Sequence, residues 1–261
     1  MCCLRNQYLK YRSWLLGGKC IKNISPPDNY SLIYEDSMEH FNSNFWRYSM
    51  DWGIIHPESL DKYFPDTDQF VFNNIEGCDL LALKEPRIFH KEELPPWLQT
   101  EDMPNTWVSN WGLGVIQSKL LYKWGWYEAE IKLPIGKAQW PAFWVWGNNA
   151  EIDIFEAYSG ENPYKFKFEF NLHYPNKTYK PSRFYVSEPT QKYIKYVLHW
   201  EEDFLKVYVD GLLVIEIIDP NILEHLNKEQ YIVLNTSVRT NSSIKPSNSV
   251  MKIKNFKLYQ K

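Results

Sequence analysis

The chain has 261 residues and a formal net charge of −3, with 44% hydrophobic and 23% charged residues. This composition is typical of a globular protein with a sizeable core, and the small negative charge gives no reason to expect binding to nucleic acid or to an anionic membrane. Aromatic residues make up 17% of the chain, which predicts an aromatic-rich core, a platform on which sugar rings stack, or both.

Residues 1–30 are predicted to form an arm outside the folded domain, because they end in the chain-breaking run Ser25-Pro26-Pro27-Asp28-Asn29. No apolar run in the chain is long enough for a membrane span. Residues 1–22 make a poor signal peptide, since their apolar patch is brief and basic residues are scattered through it. We therefore expect a chain that stays in the cytoplasm or leaves by a non-standard route.

The cysteines give the same indication about the compartment. Cys2, Cys3 and Cys20 lie in the predicted arm without metal-ligand spacing, and Cys78 stands alone in a β-prone run. A reduced cytosolic chain fits this pattern best. Pairing of Cys2 or Cys3 with Cys20 is the alternative.

Residues 31–261 alternate short β-prone runs with turn residues, which predicts one all-β domain. The runs 70–72 and 79–84 predict a hairpin. The segment 85–107 contains four prolines and predicts a long ordered loop, which could border a substrate cleft.

From residue 113 onward the strand signals become regular. Segment 166–174 alternates apolar and polar side chains with a period of two, which predicts a strand with one face in the core and the other towards solvent or a ligand. Asp210-Gly211 predicts a tight turn between two further strands, and only 220–229 predicts a helix. Many short strands with regular turns predict a jelly-roll β-sandwich.

Three acids stand close together in the middle of the chain. Glu151, Asp153 and Glu156 follow a predicted turn at Gly147-Asn148-Asn149. On a regular strand the first two acids share a face and Glu156 points the other way. One bulged residue near Ile154-Phe155 would bring all three carboxyls onto one surface.

Three carboxyls on one surface have a chemical use. Neighbouring carboxylates raise one another's pKa, so that one can donate a proton while another stays anionic, as glycoside hydrolysis requires. Spacing alone is weak evidence, because a chain this rich in acids produces such triplets by chance. The alternative at this point is an exposed strand edge that carries charge.

Five further side chains are candidates for sugar contact. Trp140, Trp144 and Trp146 alternate along the strand before the acids, and their indoles line the same cleft if the intervening side chains pack inside. Asn171 and His173 lie on the polar face of the following strand. The alternative is that the tryptophans belong to the core and that His173 is an ordinary surface residue.

These motifs resemble a known family. The run Trp140-Pro141-Ala142-Phe143-Trp144, followed by Glu-Ile-Asp-Ile-Phe-Glu at 151–156, is similar to the signature of glycoside hydrolase family 16 in the bulged form shared by laminarinases, agarases and carrageenases. Further segments resemble the family in the same order and extend the likeness over about residues 31–261: 39–46 as an opening strand, 118–119, 124–134, 208–211, 232–235 and 253–260.

The resemblance implies a concanavalin A-like jelly roll over 31–261 with a concave cleft, acting as a monomer without a cofactor on a polysaccharide. It implies a retaining endo-glycosidase for a β-linked polysaccharide, either a β-glucan or a marine-type galactan. Glu151 would be the nucleophile, Glu156 the general acid/base, and Asp153 would position Glu151. The alternative is a carbohydrate-binding sandwich without activity, such as an adhesin or a virion-associated lectin, for which three adjacent acids have no use.

The chain departs from the family pattern in three places. Many relatives hold a structural calcium partly through an Asp in the closing strand, where this chain has Lys254, so we expect no metal site. Laminarinases carry a longer loop than Gly147-Asn148-Asn149, which leaves substrates other than β-1,3-glucan open. Relatives are usually exported, in contrast to the poor signal peptide.

Overall fold

The computed structural model describes residues 24–55, 59–94, 96, 99–175, 177–184 and 186–261, with the side chains of 177–182 excepted. The predicted arm therefore lies outside the described residues except for 24–30, and so do Cys2, Cys3 and Cys20. Cys78 is a buried free thiol.

Almost all regular structure in the described residues is β-strand. The strands are β1 (Ser31–Asp36), β2 (Trp46–Tyr48), β3 (Lys62–Tyr63), β4 (Val71–Asn74), β5 (Gly77–His90), β6 (Thr106–Leu113), β7 (Val115–Ser118), β8 (Gly125–Lys132), β9 (Ala142–Gly147), β10 (Ala150–Ser159), β11 (Phe166–Tyr174), β12 (Lys177–Phe184), β13 (Ile194–Trp200), β14 (Leu205–Val209), β15 (Leu212–Ile217), β16 (Tyr231–Asn235) and β17 (Ser249–Gln260). The helices are α1 (Pro220–Leu226) and the single 3₁₀ turns Asp68–Phe70 and Lys91–Glu93.

The strands form two sheets that pack face to face. The first has the order β15-β14-β13-β8-β17-β5-β6-β3, with β1 also paired to β17 and β4 to β5. The second has the order β12-β11-β10-β9-β16-β7-β2. Neighbouring strands are antiparallel, except that β3 runs parallel to β6. The architecture confirms the predicted jelly-roll sandwich.

The core between the sheets comes from alternate residues of each strand. On the second sheet Phe168, Phe170 and Leu172 of β11 are fully buried, as their period of two predicts. Tyr196 and Leu198 of β13 oppose them from the first sheet and are equally buried. Burial of each such side chain stabilises the fold by about 1.5–3 kcal/mol, and the polar residues between them on β11 are left on the other face, where the candidate site lies.

Two sequence predictions about strand positions are wrong. The predicted loop 85–107 is shorter, because β5 continues to His90 and β6 begins at Thr106. Pro86 is tolerated inside β5 since the β5–β6 register shifts between Lys84 and Arg87, where a missing backbone N–H breaks no regular ladder. The opening strand is β1 rather than segment 39–46.

Other predicted elements are confirmed. β4 and β5 form the hairpin predicted from 70–84, and α1 lies within 220–229. Among the described residues there is no helix of the length and apolarity that crossing a bilayer would require.

Candidate active site

A two-residue hairpin turn brings the candidate acids next to the tryptophan strand. Asn148 and Asn149 both have positive φ, at 51° and 62°, which is the backbone of a type I′ turn and a conformation that Asn tolerates well. Gly147 pairs with Ala150 across the turn. β9 and β10 therefore start in tight register, and Glu151 lies directly opposite Trp146.

A β-bulge then places the third acid on the same face as the first two. On β11, Asn171 pairs with Asp153, and Glu169, two residues earlier, pairs with Glu156, three residues later on β10. The extra residue lies within Ile154-Phe155, and both of these side chains are buried in the core. The predicted bulge is confirmed, and Glu151, Asp153 and Glu156 line one surface of the second sheet.

Glu156 is held by several hydrogen-bond donors. The indole Nε1 of Trp140 donates to Glu156 Oε1 at 2.7 Å, and the Asn171 side-chain amide donates to the other carboxyl oxygen. The Tyr158 hydroxyl, two residues along the same strand, also hydrogen-bonds this carboxyl. Burial raises the pKa of Glu156, and these donors oppose the rise because they stabilise the carboxylate.

Glu151 and Asp153 form a second group, with His173. His173 Nε2 lies 3.7 Å from Glu151 Oε1 and 3.4 Å from Asp153 Oδ2. The Asp153 side chain is only 3% exposed, whereas that of Glu151 is 33% exposed. Burial and the charge of Asp153 raise the pKa of Glu151 well above its ordinary value, and His173 opposes the rise. The arrangement suits a pair of carboxyls that share a proton.

The same three residues have the donor set of a small metal site. One ligand atom each from Glu151, Asp153 and His173 lies within 4.8 Å of the others. Acid clusters of this kind are common without a metal. Since all three residues belong to the surface that the acid–base chemistry requires, we assign no metal to them.

The tryptophans lie beside the acids on the β9 side of β10. Trp140 precedes β9, rather than lying in it as the alternation predicted. Trp144 is half-buried, and its Nε1 donates to Asn235 Oδ1 at 2.8 Å. Trp146 is half-buried, with its ring centroid 4.4 Å from that of Trp52 in an edge contact. Both Trp144 and Trp146 lie on the face of the second sheet that carries the acids, and both pack against a small apolar cluster on that face, which includes Val233.

The remaining candidates and the residues that the sequence missed complete the site. Asn171 is 1% exposed and bonded to Glu156, so it is more deeply buried than a polar strand face suggests. Tyr158 could have been found, because it lies two residues beyond Glu156 and so shares its face. Asn235 and Lys62 could not, since no local pattern connects them with the acids. Lys62 is 3% exposed, and its Nζ lies 4.8 Å from the Trp140 ring centroid.

Comparison with known proteins gives one family match. The sequence profile described as Glycosyl hydrolases family 16 matches residues 95–251. A curated relative, Glucan endo-1,3-beta-glucosidase A1 of Niallia circulans, is 28% identical over 36% of this chain. That match spans only 16% of the relative's own length.

Solved structures resemble most of the chain. The catalytic domain of an endo-1,3-beta-glucanase (laminarinase) from Thermotoga petrophila RKU-1 matches with a TM-score of 0.70 at 19% identity, covering 90% of this chain and 99% of that one. The kappa-carrageenase from Pseudoalteromonas carrageenovora, in complex with an oligosaccharide, matches with a TM-score of 0.67 at 15% identity, covering 92% and 99%. At these identities the likeness supports the fold.

Proposed function

The chain belongs to glycosyl hydrolases family 16, and from this premise we propose that it is a retaining endo-glycosidase that cleaves a β-linked polysaccharide. The observation that carries the proposal is the bulge in β10, which puts Glu151, Asp153 and Glu156 on one surface. A carboxyl pair beside the scissile bond, one protonated and one ionised, is the minimum that double displacement needs.

We assign the roles as follows. Glu156 protonates the glycosidic oxygen while the Glu151 carboxylate attacks the anomeric carbon, and the aglycone leaves. Glu156 then takes a proton from water, which attacks the same carbon and releases Glu151. Asp153 lies buried beside Glu151 and can take its proton, and a proton on Asp153 leaves Glu151 as the anion.

The separation of the two carboxyl groups is what distinguishes retention from inversion. Retaining enzymes hold their two carboxyls about 5–5.5 Å apart, and inverting enzymes leave about 6.5–9.5 Å for a water. Glu151 and Glu156 lie on one strand, where each residue adds about 3.3 Å and a bulge adds less. The five steps along the strand from Glu151 to Glu156 span about 13–17 Å of backbone, so this spacing favours neither range, and we infer retention from membership of the family.

The substrate is open at the level of the sugar. The named relatives are a glucan endo-1,3-beta-glucosidase, an endo-1,3-beta-glucanase and a kappa-carrageenase, which supports a β-glucan or a galactan. Screening the purified protein against laminarin, lichenan, agarose, porphyran and carrageenan for new reducing ends would identify it. Binding to one of these polymers without any new reducing ends would favour the non-catalytic lectin alternative.

Azide rescue tests the role of each glutamate. In the Glu156→Ala variant, azide needs no general base and should restore turnover of a substrate with a good leaving group, giving a β-glycosyl azide. Glu151→Gln should be inactive with or without azide, because an amide cannot form the glycosyl-enzyme. The donors on Glu156 favour its carboxylate in the ligand-free protein, so the reverse assignment is a real competitor. Rescue of a Glu151→Ala variant with a β-glycosyl azide, the retained product, would establish that reverse assignment, whereas an inverted azide from this variant is the product expected when the nucleophile is missing.

A further inference from the structure

Lys62 is a charged side chain deep in the protein that the proposed mechanism does not use. It lies on the short edge strand β3 and is 3% exposed. Taking an ammonium group out of water carries a substantial free-energy cost even where the group is paired. An ordinary edge strand could place a neutral residue here, so the position of this charge calls for an explanation.

The backbone around Lys62 fixes the direction of its side chain. Tyr63 points to the opposite side of the strand, into an apolar cluster that includes Phe70 and Phe89. The backbone next to Lys62 is held against β6, because the Asn110 and Trp111 backbone N–H groups donate to the Asp61 carbonyl at 3.0 and 3.1 Å. Lys62 must therefore point away from that cluster.

What lies on that side is Trp140. Lys62 Nζ is 4.8 Å from the Trp140 ring centroid, within the range of a cation–π contact, and such contacts strengthen where water is excluded. The Trp140 Nε1–H in turn donates to Glu156 Oε1 at 2.7 Å. A cation over the ring draws electron density from the indole and makes its N–H a stronger donor.

We propose that Lys62 is a positioning residue for Glu156: it holds the Trp140 indole in place through the cation–π contact and, through that indole, orients the Glu156 carboxyl and favours its ionised form. This inference rests on the proposed function only in naming Glu156 as the acid/base. The chain of contacts from Lys62 to Glu156 is independent of the substrate.

Other ionisable groups also face Glu156, and they stay constant when only Lys62 is changed. They are Glu151, Asp153 and Tyr158 from β10, Glu169 and His173 from β11, and Arg239, whose guanidinium lies over the Tyr158 ring. Glu169 is itself paired with Arg183 and Lys167. A comparison of Lys62 variants in this fixed surrounding therefore reports on Lys62 alone.

The test measures the pKa of Glu156 directly, by carboxyl ¹³C NMR with the resonance assigned from its loss in Glu156→Gln. In Lys62→Met the titration should move up by about 0.5–1 pH unit, because the Trp140 N–H is no longer polarised by the cation and donates more weakly to the Glu156 carboxylate. Lys62→Arg should return it close to the wild-type value. In a Trp140→Phe background, which lacks the N–H donor, the effect of Lys62→Met should fall by at least about half.

A matched control comes from the same chain. Lys123 Nζ lies 4.1 Å from the Trp124 ring centroid, and Trp124 donates to the neutral side chain of Asn227. Lys123→Met removes a comparable cation–π contact and should leave the Glu156 titration unchanged. Should Lys62→Met fold poorly, Lys62→Gln gives the same comparison with a polar neutral group.

The outcomes separate this inference from the proposed function. A Glu156 titration that is the same in wild type, Lys62→Met and Lys62→Gln would overturn the positioning role, and so would an undiminished effect in the Trp140→Phe background. If the titration moves as expected but no polysaccharide is hydrolysed, the positioning role stands and the proposed activity fails. Where activity is found, the alkaline limb of the pH profile of kcat/KM should move upward with the titration.

Discussion

His173 and Glu151 are cross-strand partners on β11 and β10, and the His173 ring nitrogen lies 3.7 Å from the carboxyl of Glu151. The same nitrogen is 3.4 Å from Asp153. One imidazole thus faces both members of the carboxyl pair that we propose to share a proton. Its charge opposes the rise in the pKa of Glu151 that burial and Asp153 cause.

Removing His173 should therefore shift the acid side of the pH profile. In His173→Gln the pKa of Glu151 rises further, so the nucleophile is protonated at a higher pH. We expect the acid limb of kcat/KM to move up by about 0.5–1 pH unit. This is the pKa shift that a nearby opposite charge causes when solvent partly screens it. A limb that stays in place would mean that another group sets it.

The fold should gain stability when Glu151 is made neutral. Its pKa is raised in the folded protein, so the folded state binds the proton more tightly than the unfolded state, whose glutamates titrate near about 4.3. The stabilisation that comes from protonated Glu151 is therefore complete below the unfolded pKa of about 4.3, and it is lost as the pH rises through the pKa of Glu151 in the folded protein.

Glu151→Gln should accordingly raise the Tm at pH 7 by about 2–4 °C, the change that about 1 kcal/mol gives in a domain of this size. At pH 4 the variant and the wild type should differ much less. Thermal melts at the two pH values provide the measurement, and Glu35→Gln on the first sheet is a control whose carboxyl is paired with Lys257 instead. A variant that is less stable at pH 7 would contradict the sign of this argument.

The sequence could predict the site's main feature because that feature is local. The three acids, the turn before them and the apolar pair Ile154-Phe155 all lie within ten residues, so strand periodicity showed that one bulged residue would bring all three carboxyls onto one surface. The partners Asn171 and His173 followed from the parity of the next strand. Even the shared face of Tyr158 was available from its spacing.

What the sequence could not predict depends on long-range placement. Lys62 reaches Trp140 only because β3 lies at the edge of the first sheet, beside β6, and no local pattern indicates that pairing. Pro86 contributed to the wrong prediction that a loop begins at residue 85, because a proline normally ends a strand unless a bulge accommodates it. Asn235 contacts Trp144 through the adjacency of β16 and β9, which are far apart in sequence.

Calcium should not stabilise this protein. Lys254 lies in the closing strand β17 and lines a surface pocket of about 260 Å³ together with Glu35, Glu39 and Glu76. Its ammonium offsets part of the negative charge that a calcium ion would require. We expect the same Tm with calcium and with a chelator.

The Lys254→Asp variant provides the comparison for that experiment. It converts the pocket to a set of four acids and should show a calcium-dependent rise in Tm if the pocket is large and open enough for the ion. A rise of several degrees in the wild type would show instead that the glutamates bind calcium despite Lys254.

Trp144 should contribute to oligosaccharide binding without being needed for folding. Its indole is half-buried on the cleft side of the second sheet, two residues from Trp146 along β9 and directly opposite Asp153. A sugar ring stacked on it would gain about 0.5–1.5 kcal/mol beyond the area it buries, so Trp144→Ala should weaken binding by about tenfold.

Trp144→Phe keeps a ring but loses the bond to Asn235 and should have a smaller effect. Trp126, on the first sheet, is a control away from the cleft: its Nε1 likewise donates to a side chain, Glu128, at 3.0 Å, and its indole is buried. Calorimetry with the oligosaccharide that the substrate screen identifies would compare Trp144→Ala with Trp126→Ala, each checked by a thermal melt. If Trp144→Ala unfolds while Trp126→Ala does not, Trp144 belongs to the core and the sugar contact is wrong.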